Sequence, residues 1–352
     1  MNDRAMDTTI VIPTYERVAV LLETLRAVAK VSYPRGKWEA VVVDDGSGLE
    51  TLATIGDWIK EAGAPVRLLR QAHRGPAAAR NLGAREAAGD VLIFLDNDCL
   101  VPPEFIERHL HVLKTNSGSW VVGRLVHPQA LRSTPFGRYR DDCWEAFHRS
   151  HPEGLVSETA GMTAANLALP AADFARLGGF DEGFSIASCE DWDLAWRARA
   201  TGIRVLYDPC NVALHNDWAV GLDQFCERQR LYSISDVLLW RKYGEQSPRA
   251  QLVHENSPVR WTANSPRLIL KKMVKRLLAT KPGRAAVRLA CAAAERVAPD
   301  TWWNRRAYEL AVGGAIFNGV REGLLRYSGF PVAPGTGRAR DGSAGTPRSS
   351  LS

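Results

Sequence analysis

Short apolar runs alternate with segments of helical spacing over residues 8–95. The runs TTIVIPT, WEAVVV, APVRLL and VLIFL are continuous rather than strictly alternating, as expected for strands that are buried on both faces. Segments 18–29 and 75–88 have helical spacing, and Gly89 ends the second. Strands that alternate with helices predict an α/β fold in which a mostly parallel sheet carries helices on both faces.

The pattern is less regular beyond residue 115. SWVVGRLVHP predicts a strand, whereas residues 132–152, rich in Arg, Trp and His, predict a loop. DFARLGGF predicts a short helix that ends at Gly178 and Gly179, and CEDWDLAWRARATG predicts a helix with acidic residues at its start and arginines near its end. IRVLYDP and VALH predict two short strands, and helices predominate from Leu222 onward.

Composition narrows the class of protein. The chain has 352 residues, of which 45% are hydrophobic and 24% charged, as in a soluble globular protein. No apolar stretch reaches the ~20 residues that span a bilayer, and MNDRAMD contains no signal-peptide core. The six cysteines form no CxxC pair and no short Cys/His cluster, so neither a disulfide framework nor structural zinc is indicated. These features predict a cytoplasmic protein.

Charge is distributed unevenly along the chain. Residues 1–240 carry 25 Lys and Arg against 32 Asp and Glu, whereas residues 241–330 carry 17 against 6. A basic segment therefore follows an acidic one. No aromatic residues interleave with the basic residues of 266–280 and no recognition motif is present, so nucleic acid is not an expected partner.

The segment 266–280 has two faces at helical spacing. One face carries an apolar stripe and the other carries four basic residues: Leu270, Met273, Val274, Leu277 and Leu278 against Lys271, Lys272, Lys275 and Arg276. One interpretation is a helix that packs its apolar face on the protein and leaves the basic face in solvent. The other is an interfacial helix that makes peripheral contact with anionic lipid.

Polar and acidic residues follow three of the predicted strands. These residues are Pro13-Thr14-Tyr15, Asp44-Asp45 and Asp96-Asn97-Asp98. Parallel sheets bind ligands at the carboxyl ends of their strands, so the convergence favours a site over unrelated loops. In an extended segment Asp96 and Asp98 would point the same way, about 6–7 Å apart. That spacing suits a hard divalent cation bound to phosphate oxygens, although a DxD triplet alone is often a solvated loop.

Five motifs, taken in their order and spacing, carry a family resemblance. They are VIPTYER, VVVDDGS, GPAAARNLGAREAAGDVLIFLDNDC, NLALPAADFARLGGFDEGF and EDWDLAWRARATG. Over residues 8–220 the chain resembles family 2 glycosyltransferases of the GT-A fold. The resemblance implies a catalytic domain at 1–220, with nucleotide-sugar binding in 8–115 and the acceptor side in 116–220. A basic helical module at 221–330 and a disordered tail at 331–352 follow it, and nothing comparable to the family covers 241–352.

The resemblance also implies roles for individual residues. The nucleotide-sugar site would comprise Pro13, Thr14, Tyr15, Asp44, Asp45, Arg80, Asn81 and Asp96. Tyr15 would stack on the base, and Asp44 would recognise it. Asp96, Asp98 and His215 would hold Mg²⁺ or Mn²⁺. Asp191 would be the catalytic base, with Glu190 beside it.

Structural alternatives remain open for several of these residues. Glu190 and Asp191 are also typical charges of a helix N-terminus. Asp44 and Asp45 are also compatible with an ordinary turn, and Arg80 with a carboxylate partner on its own helix. Tyr15 and His215 are also compatible with packing roles, and Cys99 and Cys189 with small core positions.

The resemblance implies an inverting, metal-dependent glycosyltransferase of the hexosyltransferase type. Its expected donor is a nucleotide-diphospho-sugar, UDP-linked, and its acceptor a glycan, a lipid-linked saccharide or a small metabolite in cell-surface glycan or secondary-metabolite biosynthesis. No QxxRW motif is present, which favours transfer of one sugar over polymer synthesis. The enzyme is expected in the cytoplasm, peripheral on the inner face of the plasma membrane. The alternative hypothesis is a non-catalytic nucleotide-sugar-binding or scaffolding protein at a membrane surface.

Overall fold

The computed structural model describes residues 6–184, 188–217 and 219–333. Most of the predicted tail, from residue 334 onward, lies outside the described residues. Within them, no helix combines the length and the apolar character needed to cross a bilayer.

Nine strands form one sheet in the described part of the chain. They are β1 (Thr8–Thr14), β2 (Trp38–Asp44), β3 (Val66–Arg70), β4 (Val91–Leu95), β5 (Cys99–Leu100), β6 (Ser119–Val126), β7 (Ser157–Glu158), β8 (Asn166–Pro170) and β9 (Arg204–His215). The helices between and after them are α1 (Val18–Val28), α2 (Leu49–Ala62), α3 (Pro76–Arg85), α4 (Phe105–Thr115), α5 (Pro135–Arg149), α6 (Ala171–Arg176), α7 (Glu190–Ala200), α8 (Leu222–Tyr243), α9 (Ala250–Asn256), α10 (Pro266–Leu278), α11 (Lys281–Val297) and α12 (Trp302–Arg326).

The sheet has the order β3-β2-β1-β4-β8-β6-β9-β5, with β7 paired to β9. Strands β3, β2, β1 and β4 are parallel, as their continuous apolar runs predicted. Strand β8 enters antiparallel between β4 and β6, and β6 and β9 run parallel. The α/β class is therefore confirmed. The chain leaves β1 towards β2 on one side and returns to β4 on the other, so the sheet order reverses beside β1, the usual place for a ligand.

The described residues form two compact units. One contains residues 6–128 and 151–217, and the other contains residues 129–150 and 219–333. The second unit is helical, as predicted for the region after residue 221, but it also includes residues 129–150.

The loop predicted at 132–152 is wrong, because most of this segment is helix α5. Pro135 occupies the first turn of α5, and the side chain of Thr134 accepts a hydrogen bond from Gly137 N at 3.0 Å, so the helix has a regular N-cap. Phe136 and Tyr139, one turn apart, pack against Tyr308 of α12 with ring centroids 5.2 Å away. These aromatic contacts stabilise a helix whose sequence is otherwise too polar to show a clear stripe.

Two boundaries also differ from prediction. The segment 204–215 is one long strand rather than two, because its pairing with β6 continues across a register shift after Gly123. Helix α3 ends at Arg85, before Gly89, which lies against the backbone of Thr8 where a Cβ atom would come within 2.4 Å. Gly89 therefore permits a close chain crossing rather than ending the helix.

The prediction that the 266–280 helix packs its apolar face on the protein is wrong. Helix α10 forms, but Leu270, Met273, Val274 and Leu277 are exposed, whereas Lys272 is only 2% exposed. The Lys272 ammonium donates to Ser257 Oγ, Pro258 O and Asn264 Oδ1 at 3.1–3.3 Å. Polar groups that precede the helix therefore hold its central lysine inside the second unit.

Candidate active site

The site lies where β1, β2 and β4 end. Asn97, which follows β4, donates from its side-chain amide to Thr14 Oγ1 at the end of β1 at 3.0 Å. Its backbone carbonyl accepts a hydrogen bond from Thr24 Oγ1 of α1 at 2.9 Å. Asp45 N donates to Thr14 O at 2.9 Å, which joins the second loop to the first. Parallel pairing thus brings the three predicted polar clusters to one edge of the sheet.

The DxD triplet is a turn rather than an extended segment. Cys99 N donates to Asp96 O at 3.2 Å, which closes the chain over residues 96–99. We predicted that Asp96 and Asp98 lie in an extended segment and point the same way. The predicted extended backbone is wrong. The two carboxylates have different partners.

Asp98 lies beside the side chains of Arg17 and His215. Arg17 Nη1 donates to Asp98 Oδ2 at 2.8 Å, and His215 Nε2 lies 3.3 Å from Asp98 Oδ1. Burial alone would raise the pKa of Asp98, but its hydrogen bond and charge interaction with His215, together with Arg17, lower it to about 2. Burial would lower the pKa of His215, yet the carboxylate of Asp98 raises it. Asp98 is therefore an anionic ligand at neutral pH.

Strand pairing explains why His215 reaches Asp98 from more than a hundred residues away. Strands β5 and β9 run antiparallel with Cys99 opposite His215, and Asn216 N donates to Asp98 O at 2.7 Å. The register fixes the imidazole over the turn.

The donors at this point fit a divalent cation. The ligand atoms of Asp98, Cys99 and His215 all lie within 4.8 Å of one another, and His215 Nδ1 is buried without a hydrogen-bond partner among the described residues. Burial and the nearby aspartates raise the pKa of the Cys99 thiol well above its usual range, so Cys99 stays a neutral thiol and a poor ligand. A carboxylate oxygen and an imidazole nitrogen remain, which suit Mn²⁺ or Mg²⁺ together with phosphate oxygens and water.

Asp96 is hydrogen-bonded to Arg80. Arg80 Nη2 donates to Asp96 Oδ1 at 2.7 Å, and Arg80 Nη1 donates to Glu190 Oε1 at 2.8 Å. Arg80 and Glu190 are both buried, while Asp96 is partly exposed at the sheet edge. The guanidinium thus joins the first residue of the DxD turn to the first residue of α7. The alternative that Arg80 pairs with a carboxylate on its own helix is therefore wrong, since neither partner belongs to α3.

Glu190 is a buried partner of Arg80 rather than a group open to an acceptor. Burial raises the pKa of the Glu190 carboxyl, against the opposing effect of the Arg80 charge. Asp191, the next residue, is partly exposed and accepts from Trp192 N at 2.7 Å. Cys189 precedes them in the left-handed region with φ 72°, which turns the chain sharply into α7. Of the two acidic residues, only Asp191 is accessible to a substrate.

Asp44 and Asp45 are buried and hydrogen-bonded to loop amides. Asp44 accepts from Gly46 N and Ser47 N at 3.0–3.3 Å. Asp45 accepts from Gly75 N at 2.8 Å and from Arg74 N at 2.9 Å. Asp45 therefore fixes the loop that begins α3.

Tyr15 is the exposed aromatic at this edge. Its ring lies 4.4 Å from that of His73 at an interplanar angle of 33°, and it is 46% exposed. A flat base could pack on this pair, which agrees with the predicted stacking role. Pro13 and Thr14 belong to β1 and directly precede Tyr15.

Asn81 anchors the loop after α6. Its side-chain amide donates to Phe180 O at 2.9 Å and to Glu182 Oε1 at 3.0 Å, and its oxygen accepts from Phe180 N at 2.9 Å. Asn81 is therefore buried and satisfied, and it positions the chain that leads towards α7.

Sequence reasoning missed Arg17 and His73. Arg17 stands at the end of the VIPTYER motif, so the motif contained a signal for it. His73 follows β3 in a stretch that matches no motif. Only the expectation that loops after parallel strands meet at one sheet edge could have indicated that His73 lies at the site.

Arg80 provides a test of the buried ion pairs. We expect Arg80→Met to lower the free energy of unfolding by about 3–5 kcal/mol, because it leaves Glu190 buried without its cation. The double variant Arg80→Met/Glu190→Gln should recover part of that loss, since it removes the stranded charge as well. Urea unfolding of the three proteins measures both effects. A single variant as stable as the parent would show that the bridge is not what holds α7.

Residues 9–157 match the family model for glycosyl transferase family 2. A validoxylamine A glucosyltransferase of Streptomyces hygroscopicus subsp. jinggangensis is 31% identical over 263 residues, which are 65% of this chain and 58% of the relative. The pre-mycofactocin glycosyltransferase of Mycobacterium tuberculosis is 29% identical over 234 residues, 64% of this chain and 46% of the relative. The chain thus spans about half the length of these curated relatives.

A solved structure shares the fold. It is a mannosyltransferase from Pyrobaculum calidifontis in complex with GDP-Man and Mn²⁺, with a TM-score of 0.58 and 20% identity over 90% of this chain and 89% of that one. This likeness confirms the predicted GT-A fold. The family model matched over residues 9–157 confirms the predicted resemblance to glycosyl transferase family 2 in this part of the chain.

Proposed function

We propose that the protein transfers one sugar from a nucleotide-diphospho-sugar to an acceptor hydroxyl, with inversion at the anomeric carbon. The observation that carries the proposal is the placement of Asp98 and His215 beside each other at the edge of the sheet that also holds Tyr15. A cation site and an exposed aromatic at one strand-end edge suit the two parts of a nucleotide diphosphate. The similar enzymes named above are themselves glycosyltransferases, which supports the same class here.

Asp98 and His215 are the residues that would hold the metal, Mn²⁺ or Mg²⁺. When bound, the ion supplies Lewis-acid stabilisation of the negative charge on the departing diphosphate. Arg17 lies on Asp98 and is 44% exposed, so it is free to turn from the carboxylate towards the phosphates. In this proposal Asp96, held by Arg80, faces the ribose side of the donor.

Asp191 is the proposed general base. An attacking hydroxyl must lose a proton, and a partly exposed carboxylate at the start of α7 can accept it. Arg80 and Glu190 position the start of this helix against the DxD turn, so both are positioning residues. Asp44, Asp45 and Asn81 shape the loops around the donor, with Asp44 nearest to the base in the proposed arrangement.

The donor is proposed to be UDP-linked and the acceptor to be a lipid-linked saccharide, glycan or small metabolite. We further propose a cytoplasmic enzyme that makes peripheral contact with the inner face of the plasma membrane. A lipid-linked acceptor would agree with the basic charge of the second unit, where residues 241–330 carry 17 basic against 6 acidic residues.

A donor screen tests the proposed function. UDP-, GDP- and dTDP-sugars are incubated with the full chain and Mn²⁺ or Mg²⁺, and release of the nucleoside diphosphate is followed without acceptor. We expect slow hydrolysis of one UDP-sugar that stops when the metal is chelated. Binding of nucleotide sugars without any turnover would favour the non-catalytic alternative, and no binding at all would contradict the proposal.

A further inference from the structure

Helix α10 exposes an apolar stripe that a folded domain normally buries. Leu270 and Leu277 are 63% and 67% exposed, and Met273 and Val274 lie between them on the same face. The positions i, i+3, i+4 and i+7 form a continuous ridge. Exposed apolar residues that occur singly are ordinary, but a contiguous ridge marks an interaction surface.

Internal contacts of the second unit fix α10 in this orientation. Lys272 is enclosed by Ser257, Pro258 and Asn264, and Lys275 Nζ donates to Asn256 Oδ1 at 2.8 Å. Lys271 Nζ donates to Glu255 Oε2 at 2.7 Å. Three of the four basic residues that the sequence pattern assigned to a solvent face therefore hold the helix in place. Rotation of α10 to bury its stripe would break all of these contacts.

The helix with the exposed stripe and the helix that follows it are strongly basic. Residues 266–297, which form α10 and α11, carry nine Lys and Arg against one acidic residue, Glu295. Glu295 Oε1 accepts from Tyr308 Oη at 2.5 Å, so its carboxylate faces α12. The exposed cations of the two helices are Arg267, Arg276, Lys281, Arg284, Arg288 and Arg296.

Helix α11 repeats the combination on its own exposed side. Leu289 and Val297 are exposed two turns apart, beside Arg288 and Arg296. At the start of α12, Trp302 and Trp303 stack with ring centroids 3.7 Å apart and are both exposed. Tryptophan is enriched where proteins meet the polar boundary of a bilayer.

We propose that the exposed apolar and basic residues of α10 and α11 form a docking surface for an anionic lipid membrane. The apolar side chains would enter the headgroup boundary, and the cations would meet lipid phosphates. This inference deepens the proposed function, because it names the surface that would bring the enzyme to lipid-linked acceptors. A second copy of the chain is the less favourable occupant, since pairing two such surfaces would bring together twelve exposed basic residues, six from each copy.

Vesicle co-sedimentation tests the proposal with the full chain and without donor or acceptor, so its outcome does not depend on transfer. Vesicles of phosphatidylcholine mixed with phosphatidylglycerol are compared with vesicles of phosphatidylcholine alone, at low and high salt. We expect binding to the anionic vesicles that weakens at high salt, because exposed charges are screened.

Matched variants assign the binding to the named surface. Leu270→Asp/Leu277→Asp and Arg267→Glu/Arg276→Glu should each reduce binding at least about tenfold, since each cation near an anionic surface contributes about fivefold. Leu49→Asp and Lys60→Glu place the same changes on exposed positions of α2, and they should bind like the parent. Thermal unfolding of each variant confirms that it is folded.

Three outcomes would overturn the proposal. They are the absence of binding to anionic vesicles at low salt, binding that is equal for the surface variants and the α2 controls, and self-association that Leu270→Asp/Leu277→Asp abolishes while vesicles bind nothing. The last outcome would assign the stripe to a second copy of the chain.

Discussion

Asp98→Asn is expected to reduce sugar transfer by about 10²–10³-fold while the chain stays folded. The change keeps the size of the side chain but removes the buried anion whose Oδ1 lies 3.3 Å from His215 Nε2, so a charge that would hold a divalent cation is lost. The expected magnitude is that of removing one group that stabilises negative charge in a transition state. Initial rates with saturating donor, and Mn²⁺ binding measured by calorimetry, report the two consequences separately.

The control for this substitution is Asp57→Asn, which makes the same chemical change at an exposed position on α2. It should leave both rate and metal binding unchanged. A strong chelator added to the parent protein should reproduce the loss seen in Asp98→Asn. Full activity in the presence of the chelator would show that Asp98 is not a metal ligand in catalysis.

Asp191→Asn is expected to reduce transfer by about 10²–10⁴-fold, the usual contribution of a positioned general base. Nucleoside diphosphate affinity should remain within a few-fold of the parent, because Asp191 belongs to the acceptor side in the proposed arrangement. The measurement is a pair: single-turnover transfer rates, and calorimetric titration with the nucleoside diphosphate. The two together separate a base from a donor-binding residue.

Glu190→Gln, at the residue next to Asp191, tests which of the two acidic residues is the base. It alters the buried partner of Arg80, so its main expected effect is on stability rather than on proton transfer. If Asp191→Asn instead abolished nucleotide binding, Asp191 would act on the donor side. If Glu190→Gln alone removed transfer from a stably folded protein, the assignment of the base would be reversed.

The sheet could be predicted because its strands are buried on both faces. A short continuous apolar run such as VLIFL, bounded by polar residues, favours a buried strand over other secondary structure. The polar residue that follows the run marks the edge of the sheet. Since β1, β2 and β4 are parallel, the acidic residues that follow β2 and β4 reach the same edge of the sheet, as the motifs predicted. Local pattern and global fold agree here.

Helix α5 and the orientation of α10 could not be predicted, because distant contacts decide both. Phe136 and Tyr139 meet Tyr308, which lies far along the chain, and Lys272 is enclosed by residues that precede its own helix. A helical pattern shows which residues share a face, but not which face meets the protein. The usual assumption that the apolar face turns inward was wrong for α10.

The pairing of His215 with Asp98 lies between these cases. The family resemblance predicted that His215 lies near the metal site. The pairing of β5 with β9, which puts His215 opposite Cys99, could not be read from the sequence. The predicted cooperation of Asp96 with Asp98 rested on an extended backbone, whereas the turn at 96–99 gives Asp96 to Arg80. Spacing along the chain predicted which residues gather at this edge of the sheet. The backbone geometry determines which partner each carboxylate has.

The most direct test is the position of Mn²⁺ in crystals of the full chain grown with UDP. Anomalous scattering from manganese locates the ion without reference to activity. The account predicts one strong peak bonded to Asp98 and His215, with the diphosphate on its open side and the base against Tyr15. A manganese peak elsewhere in the chain with UDP bound, or UDP bound away from the edge formed by β1 and β4, would contradict it.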